Sequence, residues 1–308
     1  MPAEGERLAQ LKNNLKRRAQ VYDLAREFFR GRGFLEVETP VRVPAIAPEI
    51  NIVPVESEGW YLTTSPELHM KRLLAAGYSQ IFQISHCFRK GERGRLHNPE
   101  FSLLEWYRSQ ANYMDMMSDT EQLLTMLTRK LRMGSIIHYQ GHEIDLRLPW
   151  PRLDVRQAFL KTVGWDPVEY YDARRFDNDM ATEILPGLPF ERPAVLMDYP
   201  APAASLARLK PGNPLVAERA EVFIGGLELA NAYSELTDRA EQTRRFAAEI
   251  EQIEREQGRK IPMPESFIEA VGNMPESGGI ALGMERLVML LCDAASIDEV
   301  TAFTVDNI

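Results

Sequence analysis

At 308 residues, 44% hydrophobic and 26% charged, the chain can bury the core of one large domain or two modest ones. A net charge of −9 argues against gripping long nucleic acid by its phosphates. No apolar run reaches membrane-spanning length and the N-terminus has no charged-then-apolar leader pattern, so no membrane partner is expected.

Leu8, Leu11, Leu15, Val21, Leu24 and Phe28 mark residues 1–30 as an amphipathic helix, which Gly31-Arg32-Gly33 stops. Residues 34–40 read as a strand ended by Pro40, and 53–64 as a hairpin turning at Glu58-Gly59. Pro66 opens a helix carrying Leu68, Leu73 and Leu74. Strands follow at 81–88 and 101–107, joined by a charged loop over 90–99. A helix at 113–133 presents Leu123, Leu124, Leu127 and Leu131. Residues 134–215 are proline-rich and less regular. They read as an insertion in a single domain spanning 1–308, with a helix near 154–162 and a strand at 194–197. A hairpin at 220–230, a helix at 238–257 and a strand-turn-helix at 279–293 complete the pattern. Cys87 and Cys292 are the only cysteines and lack disulfide or metal-site spacing, which fits a reducing cytoplasm.

The hairpin at 220–230 carries acidic residues at telling positions. With Gly225-Gly226 as its turn, Phe223 faces Glu228, and Glu221 shares that face. The two carboxylates become diagonal neighbours, roughly 7–8 Å apart at the backbone. Both can reach one Mg²⁺, which takes oxygen ligands and completes its shell with phosphates. Glu235 extends the series beside Asn231 and Tyr233. The plain alternative is a polar strand face with incidental glutamates.

Guanidinium groups grip phosphate oxygens with a planar fork. Arg89, at a strand end, suits an α-phosphate; Arg286, at the start of an apolar helix, suits a γ-phosphate. Phe101 offers a ring to adenine, and His97 and Asn98 offer hydrogen bonds. Together these features suit a site that bends ATP and presents its α-phosphorus to a carboxylate.

Gly33-Phe34-Leu35-Glu36-Val37-Glu38-Thr39-Pro40 resembles motif 1 of the class II aminoacyl-tRNA synthetases, a dimer-interface element. Residues 88–107, with Phe88-Arg89 and His97-Asn98-Pro99-Glu100-Phe101, resemble motif 2. Gly279-Ile280-Ala281-Leu282-Gly283-Met284-Glu285-Arg286 resembles motif 3. Thr64-Ser65-Pro66-Glu67-Leu68-His69-Met70-Lys71-Arg72 and Glu228-Leu229-Ala230-Asn231-Ala232-Tyr233-Ser234-Glu235 point to the lysyl branch. The resemblance implies an α+β catalytic domain, an antiparallel sheet flanked by helices, working as a homodimer. It implies ATP contacts from Arg89, Lys90, Gly91, Glu92, His97, Asn98, Phe101, Glu228, Leu229, Gly283 and Arg286, with Arg89 and Arg286 catalytic. Glu221 and Glu228 would hold Mg²⁺. Ser65, Pro66, Glu67, Asn231 and Ala281 would line the amino-acid pocket, Glu67 near the substrate amino group. Glu105, Tyr107 and Glu235 would receive its distal ammonium.

Three departures accompany the resemblance. The chain starts at the catalytic domain, without the anticodon-binding barrel of lysyl-tRNA synthetases. The Phe-Arg-x-Glu of motif 2 reads Phe88-Arg89-Lys90-Gly91, with Glu92 one place late. Ala281 stands where the tRNA enzymes have glycine. All three match the truncated elongation factor P (R)-β-lysine ligases, which the sequence resembles throughout. Such an enzyme adenylates (R)-β-lysine or lysine and passes it to a lysine of elongation factor P, with tRNA an unlikely partner. A minimal tRNA-charging enzyme and a non-catalytic paralogue are the alternatives. No base for the second step can be identified from sequence.

Overall fold

The computed structural model describes residues 4–308; the first three residues of the expected N-terminal helix lie outside the described residues. That helix runs Glu4–Arg30 and closes against Phe34 through Phe34 N donating to the Phe29 carbonyl at 3.1 Å. The strand expected at 34–40 shrinks to Leu35–Glu36. It pairs in parallel with Ile81 and Phe82, and Val37 N adds one more bond to the Phe82 carbonyl. Beyond it Pro40 lacks an N–H, so the ladder cannot continue. The chain then enters a small three-stranded sheet, Arg42–Val43, Trp60–Leu62 and Glu56–Ser57, whose hairpin turns at Glu58-Gly59 as expected.

The main sheet has nine strands. Its centre is antiparallel, in the order Gln80–Phe88, Glu100–Ser109, Ser277–Gly283, Leu227–Ser234, Asn213–Ile224, Ala194–Pro200. Short parallel strands flank it, Leu35–Glu36 on one side and Arg152–Asp154 on the other, and Leu209–Lys210 pairs with Asn213–Ile224. Strands from within 134–215 therefore join the same sheet as the motif-bearing strands. The sequence pattern missed several pieces there, notably the Ile136–Tyr139/His142–Asp145 hairpin and the helix Ala173–Asp179.

Side chains alternate across each strand, which divides the sheet into two faces. Leu104, Trp106, Ile280 and Leu282 join the main apolar core with helices Glu4–Arg30, Tyr113–Lys130 and Met284–Cys292. Phe29 seals this layer, its ring 5.0 Å from those of both Phe82 and Trp106. Helix Tyr113–Lys130 is set by a reciprocal cap: Asn112 accepts from the Met114 and Asp115 amides, and Asp115 accepts from Asn112 N. Cys87 is fully buried, and burial pushes its thiol pKa up. Phe101, Leu103, Glu105 and Tyr107 alternate to the opposite face, as do Gly279, Ala281 and Gly283. That second face is the candidate site.

Candidate active site

The second face opens into a cavity of about 220 Å³. Strand Leu227–Ser234 reaches it only through a β-bulge. Phe223 pairs with Glu228 as the hairpin turn dictates, but Val222 pairs with Ala230 and Glu221 with Asn231. The extra residue shifts the alternation, so Glu228 and then Asn231, Tyr233 and Glu235 all line the cavity. Without it, Glu228 would lie on the opposite face from Glu235, seven residues on. The adjacent apolar pair Leu229-Ala230 is the visible signature of this break.

The cavity has chemically distinct ends. Gly279 lies beside Glu235 and Tyr107, and Gly283 lies beside Arg286, 3.8 Å from its Cδ to an ideal Cβ. Those glycines are four residues apart on one strand, about 13 Å at the usual strand rise. Ala281 sits midway, paired with Glu105 on one side and Asn231 on the other.

At the arginine end, Arg286 donates from Nη1 to the Glu228 carbonyl at 2.8 Å. Its Nη2 lies 2.7 Å from His97 Nε2. Burial and the Arg286 charge hold the His97 pKa below the ordinary histidine value, so its ring is a neutral acceptor here. Arg89 stacks 5.0 Å over the Phe101 ring, and its buried Nε has no hydrogen-bond partner. Gly91 adopts φ +80°, a left-handed conformation that suits glycine. The next residue, Glu92, lines the cavity and stands 3.6 Å from Arg89 Nη1. Asn98 also lines the wall, but its amide is engaged: Nδ2 donates to the Glu100 carbonyl at 2.6 Å and Oδ1 accepts from Val305 N at 3.1 Å.

Carboxylates crowd the other end. Glu105 is fully buried; it accepts from Ser65 Oγ at 2.7 Å and from the Tyr107 hydroxyl at 2.8 Å. Burial, reinforced by Glu67, pushes its pKa up to about 8, so it is mostly protonated near neutrality until a cation arrives. Lys71 enters this cluster from helix Glu67–Ala75, a residue no sequence argument had singled out. Its Nζ contacts Glu67 Oε1 at 2.5 Å and also pairs with Glu235 Oε2. Burial opposes its charge, but Glu235 and then Glu67 more than offset this, and its pKa rises above the ordinary lysine value. The Glu67–Lys71 spacing of four residues is the one signal that could have found it. Glu235 Oε1 and Asn231 Oδ1 remain buried without hydrogen-bond partners. In a cavity wall, such atoms are ready for a bound donor.

The cavity thus gathers Arg89, Glu92, His97, Asn98, Phe101, Glu228, Leu229, Gly283 and Arg286 with Ser65, Glu67, Glu105, Tyr107, Asn231, Glu235 and Ala281. It does not gather Lys90, Gly91, Pro66 or Glu221. Lys90 is exposed, its amide tied to the Val53 carbonyl at 2.7 Å. Gly91 forms the turn, and Pro66 is the N-cap of its helix. Glu221 shares the sheet face of its cross-strand partner Asn231 but lies outside the cavity lining; its Oε1 accepts from Arg219 Nη2 at 2.5 Å and Oε2 from the Tyr199 hydroxyl at 2.6 Å. Each of those oxygens keeps a further lone pair. Burial and the neighbouring Glu221 raise the Glu228 pKa, a cost that a cation between them would relieve. Among the described residues no group of three His, Cys, Asp or Glu side chains converges as a metal cage. Two carboxylates completed by substrate phosphates suit Mg²⁺, so the donor set fits that ion.

Gly279 fixes how closely these walls approach. A Cβ there would overlap Glu235 Oε1 and the Tyr107 ring. Gly279→Ala is therefore expected to weaken amino-acid binding by about 1–3 kcal/mol, roughly tenfold or more, while ATP binding stays near normal. Calorimetric titration of each ligand checks this; an equal loss of ATP affinity would show that the two ends of the cavity are not independent.

A sheet carrying all three motif segments around one such cavity defines the class of protein. The chain belongs to the class II tRNA synthetases (D, K and N), whose family profile matches residues 6–307. Within that family it is 38% identical over 315 residues to an elongation factor P–(R)-beta-lysine ligase of Salmonella gallinarum, covering 96% of this chain and 95% of that protein. A Salmonella paratyphi A enzyme of the same name is 37% identical over the same shares. The lysine–tRNA ligase of Moorella thermoacetica is also 37% identical, over 93% of this chain, which spans 64% of that protein's length.

Proposed function

We propose that the protein is an ATP-dependent ligase that adenylates (R)-β-lysine and transfers it to a lysine ε-amine of elongation factor P. The observation that carries this is the polarity of the cavity. Arginines gather at one end, carboxylates at the other, and the Ala281 methyl lies between them. A triphosphate suits the first end and a diammonium amino acid the second. Relatives named for this reaction match along almost their whole length, which supports the choice of substrate and acceptor.

In the first step the amino-acid carboxylate attacks the α-phosphorus of ATP and pyrophosphate leaves. Arg89 and Arg286 neutralise charge on the phosphates, in a cavity where such charges act strongly. His97 holds Arg286 in place, and Phe101 offers the adenine a ring. When bound, Mg²⁺ supplies further phosphate neutralisation, with Glu228 and Glu221 to hold it. Glu105, Tyr107 and Glu235 receive the distal ammonium; Lys71 pairs with Glu67 and Glu235 and holds both in place. The protein acts as a homodimer in this reading. The motif 1 segment supports it, since Leu35 and Val41 expose apolar side chains that a second copy would cover. A tRNA acceptor is the second reading, motivated by the lysine–tRNA ligase relative; the net charge of −9 weighs against it.

Ala281 sets the choice between β-lysine and α-lysine. Its methyl projects between Glu105 and Asn231, where an α-amino group would crowd it and a displaced one would not. Ala281→Gly is expected to shift the preference toward α-lysine by about 1–3 kcal/mol. Pyrophosphate exchange with each amino acid tests both substrate and pocket. Equal rates with the two amino acids in wild type and variant alike would sink the steric account.

A further inference from the structure

Glu49 lies in the loop between strands Arg42–Val43 and Glu56–Ser57, within Ala47-Pro48-Glu49-Ile50, and its half-buried side chain forms part of the cavity wall. The loop is anchored from behind. Ile46 and Ala47 are buried, Ile50 N donates to Glu249 Oε1 at 2.7 Å, and the Ile50 carbonyl accepts from Gln257 Nε2 at 2.7 Å. Glu49 is therefore held in position rather than left to swing in solvent. The charged groups acting on its carboxylate are Arg89 and Arg219, which attract it, and Glu67 and Glu249, which repel it. Among the described residues, none of the four is within ion-pairing distance of it.

Glu49 lines the same cavity as Arg89 and Glu67, and both of their charges act on its carboxylate. Arg89 belongs to the phosphate end and Glu67 to the amino end, so the carbonyl carbon of an aminoacyl adenylate falls between them. We propose that Glu49 is the base that deprotonates the incoming acceptor amine in the transfer step. This rests on the ligase reading above. The acceptor ε-ammonium gives one proton to the Glu49 carboxylate, and the freed lone pair attacks the carbonyl carbon. The N–C bond forms, the C–O bond to phosphate breaks, and its electron pair leaves on AMP. The remaining excess proton on nitrogen passes to water as the amide forms. Burial, opposed by Arg89 and reinforced by Glu67, pushes the Glu49 pKa up to about 7, which makes it a stronger base than an exposed glutamate.

The test compares Glu49→Gln with wild type on adenylate formed in place, using three acceptors: elongation factor P, Nα-acetyl-lysine amide and hydroxylamine. Hydroxylamine is already neutral near pH 7 and needs no such base. Pyrophosphate exchange reports on the first step. The expected result is a loss of about 10²-fold in amide formation with both amine acceptors at pH 7. Hydroxamate formation and exchange stay near wild type, and the amide defect shrinks as pH rises and the amine deprotonates unaided. Unchanged amide formation would overturn the proposal, as would exchange and hydroxamate falling in step with it. Should wild type acylate the small amine but not elongation factor P, the acceptor reading falls while Glu49 is still judged on the small amine.

Discussion

Arg286→Ala is expected to lower adenylate formation by about 10²–10³-fold, the usual cost of removing one preorganised charge-stabilising group. The guanidinium is held at the cavity by the Glu228 carbonyl and His97, and its side chain is 22% exposed. A structural salt bridge is the competing role: Glu285 and Asp293 do not supply one, and the acid that does, Glu228 with Oε2 3.6 Å from Nη1, itself lines the cavity. Glu285 instead accepts from Arg18 Nη2 at 2.7 Å and from Ser102 N at 2.9 Å. Asp293 accepts from Gln140 N at 2.6 Å. Loss of pyrophosphate exchange with an unchanged melting temperature is the expected pair of results. Near-normal exchange in a destabilised protein would make the arginine structural and remove the phosphate role.

Lys71→Met is expected to destabilise the fold by about 3–5 kcal/mol, since it leaves buried carboxylates without their cation. Lys71 is 1% exposed and serves both Glu67 and Glu235. Glu235 already sits above the ordinary carboxylate range, pushed up to about 7 by burial while Lys71 holds it down, so losing the cation raises it further. Groups shifted that way bind protons more readily in the folded state, so stability falls as pH rises between the two values. The deficit relative to wild type is thus expected to be small in acid and to grow toward neutrality. Denaturant unfolding over that range measures it. A deficit that is flat with pH would mean that the loss comes from packing rather than charge.

The motif-bearing strands were legible because each carries a strong local signal. Gly225-Gly226 turns the hairpin as its composition demands, at φ 58° and 75°. Asp238 and Gly258 bound the helix Arg239–Gln257. The face shared by Glu221 and Glu228 followed from that turn, but its continuation to Glu235 depends on a bulge that strict alternation does not supply. Lys71 stayed hidden because a lysine on a helix ordinarily faces water, and only the surrounding tertiary structure reveals its burial. Glu49 gave no signal at all: a single acid in a proline-flanked loop has no period to read. Residues 134–215 resisted for a related reason, since their strands are short and pair with distant partners, as Arg152–Asp154 does with Val195–Met197.

The central claim joins one amino acid to one protein acceptor, and intact mass measurement of elongation factor P tests it most directly. After incubation with this protein, ATP, Mg²⁺ and (R)-β-lysine, the acceptor is expected to gain the mass of a single β-lysyl group. The gain requires ATP and is accompanied by release of AMP and pyrophosphate. An acceptor of unchanged mass, in a reaction that consumes ATP and charges lysine tRNA instead, would contradict the account.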